Sequence, residues 1–351
     1  MILDTNIISP DSTLLQALDK LNALSGGLMT LMVVDAAGIL QGTLTDGDIR
    51  RGLLAGHKLH DTVSNTMCRN FRKLTGPDIN VEELQKIRSG GIRLVPIVDN
   101  GGRVIDVIDM RRTSTRLPLQ AILMAGGKGV RLQPLTLERP KPLLNVGGEP
   151  IINYNIRLLA RAGVNDVTVT VNYLAEQIEE HFKTPVEGIH VKTLREPCAL
   201  GTAGAAALVP VNPTCTDTLL MNSDLLTTLS LEDMYLHHRR EKNHITVAAI
   251  PYNVSVPYAV LQTARDGRVT SLEEKPSMSY YANAGIYLIS NRLLRELPTS
   301  TRTDATDLID SAIAHGHKVT YFPINGTWID IGSPADYAHA CELMKYVKPY
   351  K

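Results

Sequence analysis

The chain has 351 residues, with 36 Lys and Arg against 36 Asp and Glu and a formal net charge of zero. That length allows two domains and a sizeable core. The balanced charge, without an acidic or basic block of five or more, leaves no electrostatic footprint for nucleic acid. Cys68, Cys198, Cys215 and Cys341 are scattered without metal-ligand spacing and read as reduced thiols. No apolar run is long enough to cross a bilayer, and the polar N-terminus MILDTNIISPDSTL has no signal-peptide core. A cytoplasmic chain with neither nucleic acid nor membrane as partner is expected.

The first third reads as two similar halves. Ser12–Ser25 is helix-like, with Leu14, Leu15, Leu18 and Leu21 on one face. A strand is predicted at Leu31–Asp35, a turn at Ala37-Gly38 and a second strand at Ile39–Leu44, after which Thr45-Asp46-Gly47-Asp48 opens a helix. The order then recurs: helix at Val81–Ser89, strand at Leu94–Val98, turn at Asn100-Gly101-Gly102, strand at Val104–Ile108. This repeat, with Gly42-x-x-Thr45-x-x-Asp48 as its sharpest residues, resembles a tandem pair of CBS motifs over 1–115. The resemblance implies a small α+β domain in which Thr45 and Asp48 contact the ribose and phosphate of a bound nucleotide. Read as residues alone, Thr45 at a helix start is a capping oxygen, and Asp48 in the first turn can cap or accept ribose hydroxyls. The second half has Asp106-Val-Ile-Asp109-Met-Arg-Arg112 in the equivalent place, so one ligand site is expected at most. Association of such pairs edge to edge would make the chain a homo-oligomer.

The stretch Leu119–Ile151, LQAILMAGGKGVRLQPLTLERPKPLLNVGGEPI, carries the chemistry. An apolar run, Ala121–Ala125, leads into the glycine turn Gly126, Gly127 and Gly129, followed by Arg131 and by Lys141 between prolines. Glycines let backbone N–H groups approach an anion closely, and the two cations add fixed positive charge, so a polyphosphate site is predicted. It is not a Walker A loop, because Gly127-Lys128-Gly129-Val130 offers no hydroxyl. Nor is it a dinucleotide loop, because Leu132 stands where the third glycine belongs.

The segment closely resembles the signature of the sugar-1-phosphate nucleotidyltransferases, L-x-A-G-G-x-G-x-R-L-x-P-L-T-x-x-x-P-K-P, here beginning at Leu123 and Ala125. Val130 departs from it, where the family usually carries Thr or Ser. The resemblance implies a doubly wound, Rossmann-like α/β domain over 118–351, binding an NTP and a sugar 1-phosphate. Its nucleotide site would use Leu123, Ala125, Gly126, Gly127, Gly129, Glu196, Gly201 and Thr202. Its catalytic groups would be Arg131, Lys141, Asp224 and Lys275. Asp224 in Leu219-Leu-Met-Asn-Ser-Asp224 and Asp330 in Trp328-Ile-Asp330-Ile-Gly332 resemble the two aspartates that hold Mg²⁺, an ion that takes one or two carboxylates plus phosphates and water. Glu274-Lys275-Pro276, Tyr258 and Asn283-Ala-Gly285-Ile-Tyr287 resemble the sugar motifs. Ala259 replaces a frequent glycine beside Tyr258.

The form Leu200-Gly-Thr-Ala-Gly-Ala205 favours GTP, with CTP, UTP and dTTP as alternatives; a silent nucleotide sensor would have lost some of Arg131, Lys141, Asp224 and Asp330. The combination of domains resembles enzymes of bacterial surface-sugar pathways. His237 and His238 are expected to point to different faces of a helix, His315 and His317 to lie at the surface, and Trp328 to lie in the core.

Overall fold

The structure, a computed structural model, describes residues 5–25, 27–76 and 79–346, so the outermost residues of both expected domains lie outside it. It divides into two compact units, one holding the chain up to Pro118 together with Arg161–Gly163, the other holding Leu119–Ala160 and the chain from Val164 onward.

The first unit is built twice. Ile7–Ile8 pairs parallel with Thr30–Val34, which pairs antiparallel with Leu40–Thr45. Leu74–Thr75 pairs parallel with Leu94–Val98, which pairs antiparallel with Val104–Asp109. Both antiparallel ladders shift register at the same place, and both turns are tied by an aspartate. Asp35 accepts the N–H groups of Ala37 and Ile39, and Asp99 those of Gly101 and Arg103. One helix precedes the longer strands in each half, Leu14–Ala23 and Val81–Ser89. The first is started by a capping box from Thr13 and Gln16. Its buried stripe is Leu14, Ala17 and Leu21; Leu15, one residue off that stripe, turns to solvent. Leu28, Met32, Val34 and Leu40 pack with Leu94 and Val98 in a core shared by the halves. The copies diverge after the last strand. Thr45 caps the helix Asp46–Leu54, whereas Asp109 is taken up by the backbone and guanidinium of Arg111.

The second unit is a seven-stranded sheet in the order Lys192–Arg195, Asp166–Val171, Leu119–Ala125, Asp217–Asn222, Ser277–Ser290, Ile245–Ser255, Val319–Pro323. The first four run parallel. Asp166–Val171, Leu119–Ala125 and Asp217–Asn222 are buried along nearly their whole length, as strands covered on both faces must be, while the edge strand Lys192–Arg195 is partly exposed. Ser277–Ser290 is antiparallel to both of its neighbours, so the doubly wound sheet is mixed rather than wholly parallel. Ile122, Leu220, Ile245, Tyr287 and Ile289 form one core with the helices Gly201–Ala207 and Ala305–Ala314. The helix Ile151–Arg161 buries Ile151, Ile152, Ile156 and Leu159. Beyond the core, Ile245–Ser255 and Ser277–Ser290 continue as an exposed ribbon, beside a hairpin of Val260–Thr263 and Val269–Glu273.

Candidate active site

Register explains why the expected residues meet. Met124 is level with Asn222, and Ala125 with Val171, which is level with Arg195. The carboxyl ends of four parallel strands therefore finish in one row, where α/β sheets place ligands. The segments that follow, Gly126–Gly129, Ser223-Asp224 and Glu196–Leu200, surround one cavity of about 490 Å³. Ser223 fixes its loop by donating to Met124 O (2.6 Å) and accepting from Asn155 (3.0 Å).

The glycine turn forms the near wall. Gly129 sits at φ 61°, and a Cβ there would stand 2.9 Å from Thr136 Cγ2 and 3.3 Å from Lys141 Cβ. Only glycine tolerates both demands. A Cβ on Gly127 would meet nothing within 4 Å, so its exposed backbone is open to close approach. Val130 is 62% exposed and lines the cavity, as do Ala125, Gly126 and Arg131.

At the foot of the cavity, Lys141 Nζ pairs with Asp224 and lies 3.1 Å from Asp330 Oδ1. A short ladder creates this cluster: Leu225 is level with Asp330 where Leu225–Thr227 pairs with Trp328–Asp330. Burial pulls the Lys141 ammonium down, but Asp224 and then Asp330 outweigh it and hold its pKa above the usual lysine value. Burial, followed by repulsion from Asp224, pushes the Asp330 carboxyl up despite Lys141 and Arg131. Asp224 Oδ1 is buried and has no hydrogen-bond partner. A divalent cation fits this donor set, two hard carboxylates with one oxygen uncommitted, if phosphates and water complete the shell. Among the described residues no third carboxylate, His or Cys joins them.

Glu196 is buried, accepts from Leu200 N at 3.4 Å and packs against Gly126, where a side chain would collide with its carboxylate. Burial raises its pKa. Gly201 and Thr202 line the cavity, but the first turn of their helix is met by the chain itself. Thr303 O accepts from Ala203 and Gly204 (3.0 and 2.9 Å), and Asp304 Oδ1 accepts from Thr202 N (3.3 Å). This strap, Thr301–Asp304, brings Arg302 and Asp304 into the cavity wall. Sequence inspection missed both, together with Asn222, Ser223 and Gly332; the signal for the strap was Asp304, a capping residue opening an amphipathic helix.

Other expected residues stand apart. Leu123 is fully buried and is not among the cavity-lining residues. Tyr258, Glu274 and Lys275 are exposed in the bends that join the ribbon to the hairpin, away from the cavity lining. Asn283 accepts from Gly285 N at 2.9 Å, and Gly285, at φ 71°, leaves room for the Asn222 side chain. Tyr287 lies in the core, not in the site. Trp328 is half-buried rather than core, its indole donating to Ala284 O at 2.9 Å. His238 is buried against Asp217 and Thr246, while His237 reaches Thr320. His315 is exposed and His317 half-buried beside His244.

In the first unit, Thr45 and Asp48 line a separate cavity of about 580 Å³ with Phe71, Arg72 and Arg93. Asp48 Oδ2 accepts from Thr45 N (2.8 Å) and Oγ1 (2.6 Å), and its other oxygen pairs with Arg51. Thr45 and Asp48 thus form a capping box. No described helix is long and apolar enough to cross a membrane.

The chain is 30% identical over 229 residues to the catalytic subunit beta of mannose-1-phosphate guanylyltransferase of Xenopus tropicalis, covering 62% of each protein. It is 33% identical over 239 residues to Probable mannose-1-phosphate guanylyltransferase 2 of Arabidopsis thaliana, covering 64% of this chain and 65% of that protein. The chain thus spans less than two thirds of the length of these curated relatives. A Bacillus anthracis protein assigned as a glucose-1-phosphate thymidylyltransferase, solved with a sucrose, shares the fold at TM-score 0.52 and 24% identity, over 66% of this chain and 98% of that one. The family model for nucleotidyl transferases matches residues 120–345, the stretch that holds the glycine turn, Lys141, Asp224 and Asp330, and the chain belongs to that family.

Proposed function

We propose that this chain transfers a nucleoside monophosphate, GMP by preference, from an NTP to a sugar 1-phosphate and releases pyrophosphate. The observation that carries this is Lys141 held between Asp224 and Asp330 at the foot of a cavity walled by the Gly126–Gly129 turn. An oxygen of the sugar phosphate attacks the α-phosphorus. As that bond forms, the α–β P–O bond breaks and its electron pair leaves with pyrophosphate. A phosphate monoester is largely dianionic at neutral pH, so the nucleophile needs no general base, and no described histidine lines the cavity. The protein has to position two anions in line and neutralise charge.

Backbone N–H groups of Gly126, Gly127 and Gly129 cradle the β- and γ-phosphates, and Arg131 offsets charge on the leaving pyrophosphate. Lys141 neutralises the phosphate at the reacting centre. Asp224 and Asp330 would hold Mg²⁺, which when bound supplies further positive charge to the phosphates. Glu196 accepts donors from the base. Tyr258, Glu274, Lys275, Asn283 and Gly285 bind the sugar phosphate, with Lys275 on its anionic end. The first unit serves as a CBS-type pair that binds an effector nucleotide through Thr45 and Asp48 and assembles the chain into oligomers. The product feeds bacterial surface glycans. The test is pyrophosphate release with GTP, CTP, UTP and dTTP against the 1-phosphates of mannose, glucosamine, glucose and heptose. Release that is fastest with GTP is expected. No release with any pair overturns the proposal, and faster release with another nucleotide overturns its donor.

A further inference from the structure

We propose that Arg302 is a specificity-determining residue of the donor site, its guanidinium reading the O6/N7 edge of guanine while Glu196 reads the N1/N2 edge. This rests on the guanine-donor reading above and assigns the contact that would enforce it. Among the described residues, the cations lining the cavity are Arg131, Lys141 and Arg302. The first two stand with the glycine turn and the aspartates, at the phosphate end. Arg302 comes from the other end. Its neighbours in the strap are docked on Gly201–Gly204: a Cβ on Gly201 would meet Asp304 Oδ1 at 2.6 Å and Thr303 O at 2.7 Å. Thr303 N also donates to Leu200 O at 2.8 Å, and Ala305 N to Thr202 Oγ1 at 2.7 Å. The strap therefore belongs to the wall that contains Glu196 and Ala199.

Asp304 is anchored, but Arg302 is not. Its side chain is 72% exposed and touches Asp304 Oδ2 only at 3.5 Å, so the guanidinium is free to turn onto a ligand. Guanine presents two acceptors, O6 and N7, beside two donor positions, N1–H and N2–H₂. Its complement is one fork of donors and one carboxylate, and Arg to O6/N7 is the bidentate match. Adenine puts an amino donor beside N7, and pyrimidines lack N7 altogether, so the same fork rejects them.

The experiment measures kcat/KM for GTP, ATP, inosine triphosphate and 7-deaza-GTP with wild type, Arg302→Ala and Arg302→Lys. A bidentate contact of this kind discriminates by about tenfold to a hundredfold. We expect wild type to lose that factor on 7-deaza-GTP and Arg302→Ala to lose it on GTP, with no further loss on 7-deaza-GTP. The GTP-over-ATP preference should fall in parallel. Arg302→Lys should behave like Arg302→Ala, because lysine keeps the charge without the fork. An equal loss on all four nucleotides, restored by lysine, would make Arg302 a phosphate contact and overturn the proposal. So would an unchanged GTP preference in both variants. A wild type without preference among nucleotides would instead sink the donor reading itself. Thermal melts of the variants check folding; the side chain's exposure predicts no change.

Discussion

Replacing Lys141 with Met tests the centre of the site most directly. In the wild type the ammonium is shared by two carboxylates, and the side chains of Lys141, Asp224 and Asp330 are 12%, 16% and 31% exposed. At the 3.1 Å separation from Asp330, one such pair is worth roughly 5 kcal/mol before desolvation at an effective dielectric of about 20. Burial offsets most of that gain, so the net worth of the cluster is small. The variant is not small in effect, because it leaves two carboxylates facing each other without the ammonium that both contact. Removing one partner of a fully buried pair costs about 3–5 kcal/mol, and the partial exposure of Asp330 lowers the expectation to about 2–4 kcal/mol. At about 2–4 °C per kcal/mol for a unit of this size, the melting transition should fall by roughly 4–16 °C. Calorimetry should follow the transition of the second unit separately, since a chain of two units need not melt in one step. Saturating Mg²⁺ should raise the variant's transition more than the wild type's, because the ion replaces the missing charge; at a hundredfold excess over Kd the gain is about 2.7 kcal/mol. Turnover should drop by roughly 10²–10³. A variant that melts like the wild type, shows no larger Mg²⁺ response and turns over within a few-fold would refute the reasoning.

Gly129→Ala combines a left-handed φ with crowding of Thr136 and Lys141; a stability loss of about 1–3 kcal/mol and a higher KM for the NTP are expected from denaturant melts and kinetics, and unchanged KM would detach this turn from the nucleotide. Burial alone pushes the Asp217 carboxyl up, but His238, Thr216 and Arg239 outweigh it and hold it low. Its contribution is therefore complete above the unfolded carboxylate value, about 3.9, and is lost as pH falls through the lower folded value. Asp217→Asn should be less stable at neutral pH and should flatten the acid limb of a stability-against-pH curve; an identical acid limb would exclude this group. Asp48→Ala should cost about 1 kcal/mol by breaking the capping box with Thr45, and it should abolish nucleotide binding by the first unit in calorimetry if Thr45 and Asp48 hold a ribose. Binding that persists unchanged would leave them as a cap alone.

The parts of the site that were legible in the sequence are those whose geometry is local. Gly126–Gly129 follows its strand directly, Asp224 follows another by two residues, and both kinds of turn announce themselves in composition. The repeat in the first unit was equally visible, since each half carries its own helix, strand and turn signals. What stayed hidden depends on pairings far apart along the chain. Nothing near Lys141 says that it will lie against Asp330, because the ladder of Leu225–Thr227 with Trp328–Asp330 brings that residue in. An apolar run such as Ala284–Ile289 does not reveal its direction, so the antiparallel strand in an otherwise parallel sheet went unread. The strap at Thr301–Asp304 is a loop by composition and acquires a role only by docking on Gly201–Gly204. Tyr258, Glu274 and Lys275 were found by motif, yet their ribbon and hairpin leave them exposed, and sequence carries no measure of that distance from the cavity.

The pairing of Leu225 with Asp330 also fixes when, during synthesis, the carboxylates of Asp224 and Asp330 can come together. The glycine turn exists once residue 129 has left the ribosome, but the second carboxylate follows 201 residues later. At about 5–20 residues per second that interval is roughly 10–40 s. Throughout it a nascent chain carries the glycine turn without Asp330, and every truncated product that ends before Asp330 lacks the Lys141–Asp330 pair altogether. The ladder thus reserves the complete charge cluster for chains translated past Asp330.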